Sequence, residues 1–92
     1  MTVAIRDNAD QSRYEVVLDG ELVGVADYRV VGDVVVIPHT EISPSRRGQG
    51  LAAQLVQYAL DDVRAANRRV DPQCWYVADF IAAHPEYADL TR

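Results

Sequence analysis

The sequence predicts an α+β fold in which an antiparallel sheet comes first and helices follow. Four segments rich in β-branched residues fill the first half of the chain, and the links between them are too short for parallel crossovers. The second half instead carries an amphipathic pattern with a period of about 3.6 residues. A chain of 92 residues suffices for one compact domain, and we expect residues 1–92 to form it.

The predicted strands are separated by turn-like residues. They cover Val3–Arg6, Arg13–Leu18, Glu21–Val30 and Val34–Ile42. Asp19-Gly20 is a strong two-residue hairpin signal, and Gly32-Asp33 predicts the next reversal. Pro38 has no N–H to donate to a ladder, so we expect the fourth strand to be bulged or unpaired on one side near its end.

A long helix is expected from about Gln49 to about Ala66, because apolar residues recur there on one face. That face comprises Leu51, Ala52, Leu55, Val56, Ala59, Leu60 and Val63. The next candidate strand is Arg68-Arg69-Val70. The passage from Val34 to Val70 has the length of a right-handed crossover, which makes its two strands parallel neighbours.

A shorter second helix is expected from about Trp75 to Ala83, where His84-Pro85 ends it. Three aromatic residues of this helix at helical spacing are expected in the core rather than in a substrate cage, with Tyr76 also able to face a ligand: Trp75, Tyr76 and Phe80. The tail after Pro85 is expected to dock onto the domain.

The loop before the long helix, Ser43 to Ala53, is basic and carries glycines. Helix starts normally favour acidic residues, because their unpaired N–H groups and the macrodipole leave partial positive charge there. This helix start has Arg46 and Arg47 instead. Gly48 and Gly50 have no Cβ, so the backbone can turn tightly and present its N–H groups to a ligand at close range. The loop therefore predicts an anion site suited to a phosphate.

Other interpretations of the loop remain open. It is an ordinary loop if Ser43 or Ser45 caps the helix and the arginines are solvated. Gly48 to Ala53 also fits the loose dinucleotide pattern G-x-G-x-x-A with Asp71 downstream, but the ten residues from Pro38 to Arg47 separate Gly48 from the part of the candidate strand that precedes Pro38. The loop has no lysine, so the phosphate-loop pattern of triphosphate hydrolysis is absent.

Composition restricts the partners. The formal net charge of −5 argues against general binding to nucleic acid and favours basic partners such as amines or lysine-rich tails. No stretch approaches the roughly 20 consecutive apolar residues of a membrane span. The start of the chain lacks the pattern of a signal peptide, so we expect a cytoplasmic protein. Cys74 is the single cysteine, which rules out an internal disulfide.

Ser45 to Gly50 resembles the acetyl-coenzyme A binding motif of the GNAT acetyltransferase superfamily, Q/R-x-x-G-x-G/A, with Ser45 where the motif has Gln or Arg. Four further features accompany it: His39–Ile42, Leu51-Ala52, Asp71–Cys74 and His84–Leu90. Together they resemble the minimal single-domain GNAT-like family, which includes the small N-acetyltransferase-domain-containing proteins. The resemblance covers nearly the whole chain. It implies a central twisted mixed sheet, two helices, and coenzyme A bound between the strands that diverge around the long helix.

The resemblance also implies a set of residues for acetyl-coenzyme A. The pyrophosphate is expected on the backbone N–H groups of Arg47 to Leu51, and the pantetheine arm beside the end of the fourth strand. The implied cofactor-binding residues are Thr40, Glu41, Ile42, Arg46, Arg47, Gly48, Gln49, Gly50, Leu51, Ala52, Cys74 and Tyr76.

His39 and Cys74 are the candidate catalytic residues. The resemblance places both near the thioester, and parallel neighbouring strands would independently bring them to one sheet edge. A thiol must become a thiolate to attack, and an imidazole can take its proton. Cys74 would then carry the acetyl group briefly, or one of the pair would act in proton transfer during direct transfer. Glu41 shares a strand face with His39 and is a secondary candidate, as base or to orient the histidine. Alternatively, Cys74 is a buried small hydrophobe and His39 an exposed strand-end residue.

Three functions stay open. The first is an N-acetyltransferase that acetylates a small amine or a lysine side chain. The second is an acyl-coenzyme A binding sensor or carrier with little turnover, which the short chain favours because it leaves little room for helices to line the acceptor side. In that case the acceptor side is open or supplied by a partner. The third is a nucleotide-binding regulator that uses the glycine loop alone.

Overall fold

A computed structural model describes residues 2–91, whose strands form one five-stranded sheet. The strands are β1 (Val3–Asn8), β2 (Arg13–Leu18), β3 (Glu21–Val31), β4 (Val34–Ile42) and β5 (Arg69–Asp71). They lie side by side in chain order. The first four pair antiparallel, and β4 pairs parallel with β5. The predicted α+β fold and the parallel pairing across the crossover are therefore confirmed.

Two helices follow the antiparallel strands. α1 (Leu51–Ala65) connects β4 to β5, and α2 (Trp75–Ala83) follows β5. Short 3-10 segments stand at Ala9–Gln11, Pro44–Arg46 and Pro85–Thr91. The predicted apolar face of α1 is buried except for Ala52, which is half-buried. Neither helix has the length and apolar character to cross a bilayer, over the residues 2–91 that the structure describes.

One hydrophobic cluster joins the inward-facing residues of the sheet to both helices. Val16, Ile37, Leu55 and Val77 are 0% exposed within it. Such close-packed contact makes a core sensitive to the loss of even one methylene group. The core thus fixes the ends of β4, α1 and α2 relative to one another.

The C-terminal segment docks onto α1 as expected. Tyr87 and Leu90 are buried. The Tyr87 hydroxyl donates to Asp61 at 2.6 Å. Arg64 donates two hydrogen bonds to Asp89, both at 2.9 Å, and another to the carbonyl of Glu86 at 2.7 Å.

The prediction that Trp75 belongs to the core is wrong. This side chain is 73% exposed. Residues advance by about 100° each around a helix, so Trp75 lies about 200° from Val77, on the far side of the buried face that Val77, Phe80 and Ile81 form. Phe80 is buried as predicted, and Tyr76 is half-buried.

The bulge predicted at Pro38 is confirmed. Tyr28 of β3 lies opposite two residues of β4, Ile37 and Pro38, where the register of the pair shifts. Bulges bend a strand and increase its local twist. Beyond the bulge β4 continues to Ile42, whereas β5 pairs only with residues 34–36 of β4. The sheet therefore opens into a wedge beside the second half of β4.

Candidate active site

A groove occupies the wedge between β4 and the chain that follows β5. Its wider part, a cleft of about 610 Å³, is lined by β4 and the start of α2. A second cavity of about 270 Å³ lies at the start of α1. The two cavities share the lining residues Ile42, Arg47, Ala52 and Tyr76. They form one continuous path from the basic loop to α2.

The basic loop ends in an uncapped helix start. Gly48 has φ +82° and Gly50 has φ +76°, values in the left-handed region that favours glycine. No atom lies within 4 Å of the place where a Cβ would stand at either position. Gly50 is the N-cap of α1, no side chain caps this end, and the first turn contains no acid. The first N–H groups of α1 thus meet the cavity without a partner from a capping side chain.

The interpretation that a serine caps the long helix is therefore wrong. Ser43 instead precedes the short 3-10 segment Pro44–Arg46, and its side chain makes no capping hydrogen bond there. α1 begins at Leu51, two residues later than the predicted Gln49, because the left-handed conformation of Gly50 stops the helix from extending toward the loop.

The structure gathers the predicted cofactor-binding residues along this groove. Gln49 is exposed between the two glycines and lines neither cavity. The others line one cavity or both: Thr40, Glu41, Ile42, Arg46, Arg47, Gly48, Gly50, Leu51, Ala52, Cys74 and Tyr76. Residues that are up to 36 positions apart in the chain thus share one surface because the wedge brings the end of β4 to the start of α2.

Cys74 lies where the wedge begins. Its backbone N–H donates to the carbonyl of Ile37 in the bulge at 2.9 Å. Its Sγ lies 3.3 Å from the Thr40 hydroxyl. The residue is the N-cap of α2 and is only 9% exposed.

The electrostatics of this position favour the thiolate. Burial acts to raise the pKa of Cys74. Hydrogen bonding from the Thr40 side chain and from backbone N–H groups of Val77, Tyr76 and Thr40 outweighs it, so the pKa of the thiol is lowered overall. A cysteine at a helix N-terminus is a known setting for such a shift, because the N–H groups and the helix dipole stabilise the negative sulfur.

His39 and Glu41 stand together on the other face of β4. His39 Nε2 lies 3.8 Å from Glu41 Oε2, and the two side chains are 55% and 65% exposed. Side chains alternate along a strand, so Thr40 between them points to the opposite face, where Cys74 lies. The recorded contacts join His39 to Glu41 and Cys74 to Thr40. Assistance of Cys74 by His39 stays a prediction, although both line the same cleft.

Three residues of the cleft were not among the predicted site residues: Pro38, Gln73 and Trp75. The amide of Gln73 donates to Asp71 at 3.2 Å. Trp75 could have been found from the sequence, because it directly follows the candidate nucleophile and falls off the apolar stripe of α2.

Comparison with known proteins decides the family. The family model described as GCN5-related N-acetyl-transferase matches residues 13–90, from β2 to the docked C-terminal segment. The chain belongs to this family. The acetyltransferase resemblance carried by the basic loop and its flanking residues is thereby confirmed.

Curated relatives of this chain carry the name Protein NATD1. The Bos taurus protein is 37% identical over 59 residues, which cover 63% of this chain and 52% of the relative. The Homo sapiens protein is 34% identical over 59 residues, with the same coverage of 63% and 52%. The chain spans about half the length of the curated relatives it matches.

Solved structures share the fold. A GCN5-like protein from Staphylococcus aureus superposes with a TM-score of 0.74 at 19% identity, over 97% of this chain and 87% of that one. The ribosomal-protein-S18-alanine N-acetyltransferase of Escherichia coli gives 0.61 at 19% identity, over 63% and 38% of the two chains. The N-acetylglutamate synthase of Neisseria gonorrhoeae, complexed with coenzyme A and N-acetyl-glutamate, gives 0.57 at 21% identity, over 64% and 15%.

Proposed function

We propose that this chain transfers an acetyl group from acetyl-coenzyme A to an amine. The observation that carries the proposal is the groove itself, which joins an uncapped, basic helix start to a buried thiol of lowered pKa. Such a groove suits a long ligand with phosphates at one end and a thioester at the other. Membership of the acetyltransferase family supports the same activity.

The residues present fit coenzyme A along its length. Arg46 and Arg47 supply positive charge at the loop, and the glycines leave open space where side chains would otherwise stand. Phosphate oxygens favour the free N–H groups of a helix start. Ile42, Ala52 and Tyr76 line the stretch between the loop and the thiol, where the pantetheine arm would lie.

Acetyl-coenzyme A supplies an acetyl thioester that an amine nitrogen can attack. Two roles are open to Cys74. Its thiolate can accept the acetyl group and pass it to the amine, or its thiol can give a proton to the departing sulfur. In both, Thr40 holds the Cys74 sulfur through the 3.3 Å contact. In this proposal His39, with Glu41 3.8 Å away, takes a proton from the acceptor nitrogen.

Binding is the first test. The protein is titrated with acetyl-coenzyme A, coenzyme A and NAD by calorimetry, with thermal shift as a cross-check. A ligand at about 100-fold excess over its dissociation constant adds about 2.7 kcal/mol of stability. That moves the melting midpoint of a domain of this size by several degrees or more. Saturable binding of both coenzyme A species but not NAD supports the proposal, and the absence of binding by all three overturns it.

The role of Cys74 is tested by Cys74→Ala. We expect transfer to be lost while coenzyme A binding is kept. Intact mass spectrometry of the native chain, mixed with acetyl-coenzyme A and no acceptor, should show a gain of one acetyl group that disappears in the variant. Unchanged turnover in Cys74→Ala would refute the covalent route.

A second candidate function is an acyl-coenzyme A sensor or carrier, and one observation favours it. His39 and Glu41 are more than half exposed, so residues 2–91 leave the acceptor side open. A partner would then complete that side. Tight coenzyme A binding without transfer to any primary amine would support this function over the first.

A further inference from the structure

We infer that Trp75 forms the acceptor-side wall of the groove and, together with Glu41, selects a primary alkylammonium group as acceptor. The inference rests on the proposed acetyl transfer and names its acceptor class. It is carried by the exposure of Trp75, by its place in the groove, and by the separation of charge along the groove.

Trp75 is the most exposed large hydrophobic side chain among the described residues. It is 73% exposed, against 59% for Val31, the next highest. An indole left in water forgoes much of the burial that stabilises folded proteins, and aromatic side chains are common in the lining of ligand pockets. Its ring meets Tyr76 edge to face, with centroids 5.8 Å apart and an angle of 71°. Tyr76 thus packs against the indole, most of which stays exposed.

The lining of the two cavities places Trp75 at the end away from the phosphates. Tyr76 lines both cavities, whereas Trp75 lines only the wider one, which also holds His39 and Glu41. Arg46 lines only the cavity at the start of α1 and Arg47 lines both cavities, whereas Glu41 lines the wider cavity and not the one at the start of α1. An anionic donor is therefore drawn to the loop end and a cation to the end that holds Glu41 and Trp75.

Trp75 and Glu41 line the same cleft, and an aromatic ring together with a carboxylate can recognise an ammonium group. A cation over a tryptophan face gains roughly 0.5–2 kcal/mol, and tryptophan is the best of the aromatic residues in this role. The indole also offers an apolar surface for the alkyl chain next to the nitrogen. His39, 3.8 Å from Glu41, lines the same cleft and can take the proton that the nitrogen must lose before it attacks. Two sources carry this chemistry: free alkyl diamines and the lysine side chains of proteins.

Trp75 is the single tryptophan of the chain, so its fluorescence reports directly on this wall. The protein saturated with coenzyme A is titrated with 1,5-diaminopentane and, separately, with 1,5-pentanediol, which has the same length and no charge. We expect a saturable change with the diamine and binding at least about tenfold weaker with the diol. A peptide with one lysine and a blocked α-amine then distinguishes the two sources by which one binds more tightly.

Variants test the two residues separately. Glu41→Gln should weaken diamine binding by about tenfold, whereas Glu21→Gln, an exposed glutamate at the start of β3, should leave it unchanged. Trp75→Ala should weaken diamine binding by a similar factor, measured by calorimetry because this variant has no tryptophan fluorescence. Trp75→Phe should bind the diamine more tightly than Trp75→Ala and less tightly than the native chain. In steady-state assays Trp75→Ala should raise the KM for the amine and leave the KM for acetyl-coenzyme A unchanged.

Equal responses to diamine and diol, no response to either, or unchanged diamine affinity in Trp75→Ala would each overturn the inference. Failure of the proposed function is recognised separately, by the absence of coenzyme A binding in calorimetry. In that event the diamine titration of the ligand-free protein still decides whether Trp75 and Glu41 bind an ammonium group.

Discussion

The proposed phosphate site, formed by the backbone N–H groups of Arg47 to Leu51, can be tested by adding one methyl group to the loop. Gly48→Ala places a Cβ in the cavity at a position where no protein atom lies within 4 Å. Gly20→Ala is a matched control. Gly20 has φ +84° against +82° for Gly48, it too has open space around the missing Cβ, and it lies in the turn between β2 and β3.

The two variants should lose the same stability. An L-residue in the left-handed region costs roughly 1–2 kcal/mol, and neither substitution adds a clash inside the protein. For a domain of this size each kcal/mol lowers the melting midpoint by about 4–8 °C. The two should differ in binding, because only the Cβ at Gly48 obstructs the approach of a phosphate. Loss of one charge-assisted hydrogen bond, about 1.5–3 kcal/mol, weakens affinity by about 10- to 100-fold.

Thermal melts and calorimetric titration of coenzyme A on both variants provide the measurement. We expect equal melting midpoints, with coenzyme A affinity reduced in Gly48→Ala and unchanged in Gly20→Ala. Native affinity in a folded Gly48→Ala protein would show that the phosphates do not lie on this loop. Equal loss of affinity in both variants would show that the effect arises from backbone strain rather than from obstruction of the phosphate site.

Three other predictions follow from ionic and hydrogen-bonded contacts. Glu15 is 1% exposed, and its pKa is lowered to about 2, first by hydrogen bonding from Arg6. The resulting stability, about 1–2 kcal/mol after allowance for solvent screening, is complete above the unfolded pKa near 4.5 and is lost as the pH falls toward 2. In pH-dependent denaturant melts, Glu15→Gln should therefore be less stable than the native chain at pH 7, and the gap should close over that interval. Because the pKa of Cys74 is lowered, iodoacetamide should alkylate Cys74 at a lower pH than it alkylates a free thiol. Thr40→Val should move the midpoint of the plot of alkylation rate against pH upward. A midpoint that does not move would exclude Thr40 as the group that stabilises the thiolate. Arg64→Ala removes three hydrogen bonds that hold the C-terminal segment to α1. Limited proteolysis should therefore cut this segment faster in the variant than in the native chain. An unchanged rate would show that the buried side chains of the segment are enough to hold it in place.

The fold followed from the sequence because local signals and packing agree. The hairpin signal at Asp19-Gly20 corresponds to two positive φ values, +50° and +84°. The apolar stripe of α1 and the start and end of α2 were also correct. The predicted start of α1 differs from the observed start by two residues, because the periodicity of apolar residues cannot show that Gly50 takes a left-handed conformation.

The candidate site was harder to predict in its details. The sequence suggested that His39 assists Cys74, yet the hydroxyl within reach of the sulfur is that of Thr40. Alternation along β4 places His39 and Thr40 on opposite faces, but it does not say which face Cys74 meets. That depends on how α2 packs after the wedge, which is a tertiary property. Trp75 was missed because aromatic residues usually belong to the core, and that expectation outweighed its position off the apolar stripe of α2.

The bulge on β4 has a consequence for how this family can diverge. It opens the sheet by adding one residue to β4 in the backbone ladder. Because this change lies in the backbone, it does not depend on particular neighbouring side chains. Pro38 suits the position because it has no N–H to leave unpaired. The shape of the groove is thus largely free of the identity of its walls. A Staphylococcus aureus protein with 19% identity shares the fold over 97% of this chain, so the architecture tolerates wide changes of sequence. Under the proposed function, substitutions along the walls would change the acceptor without changing the scaffold.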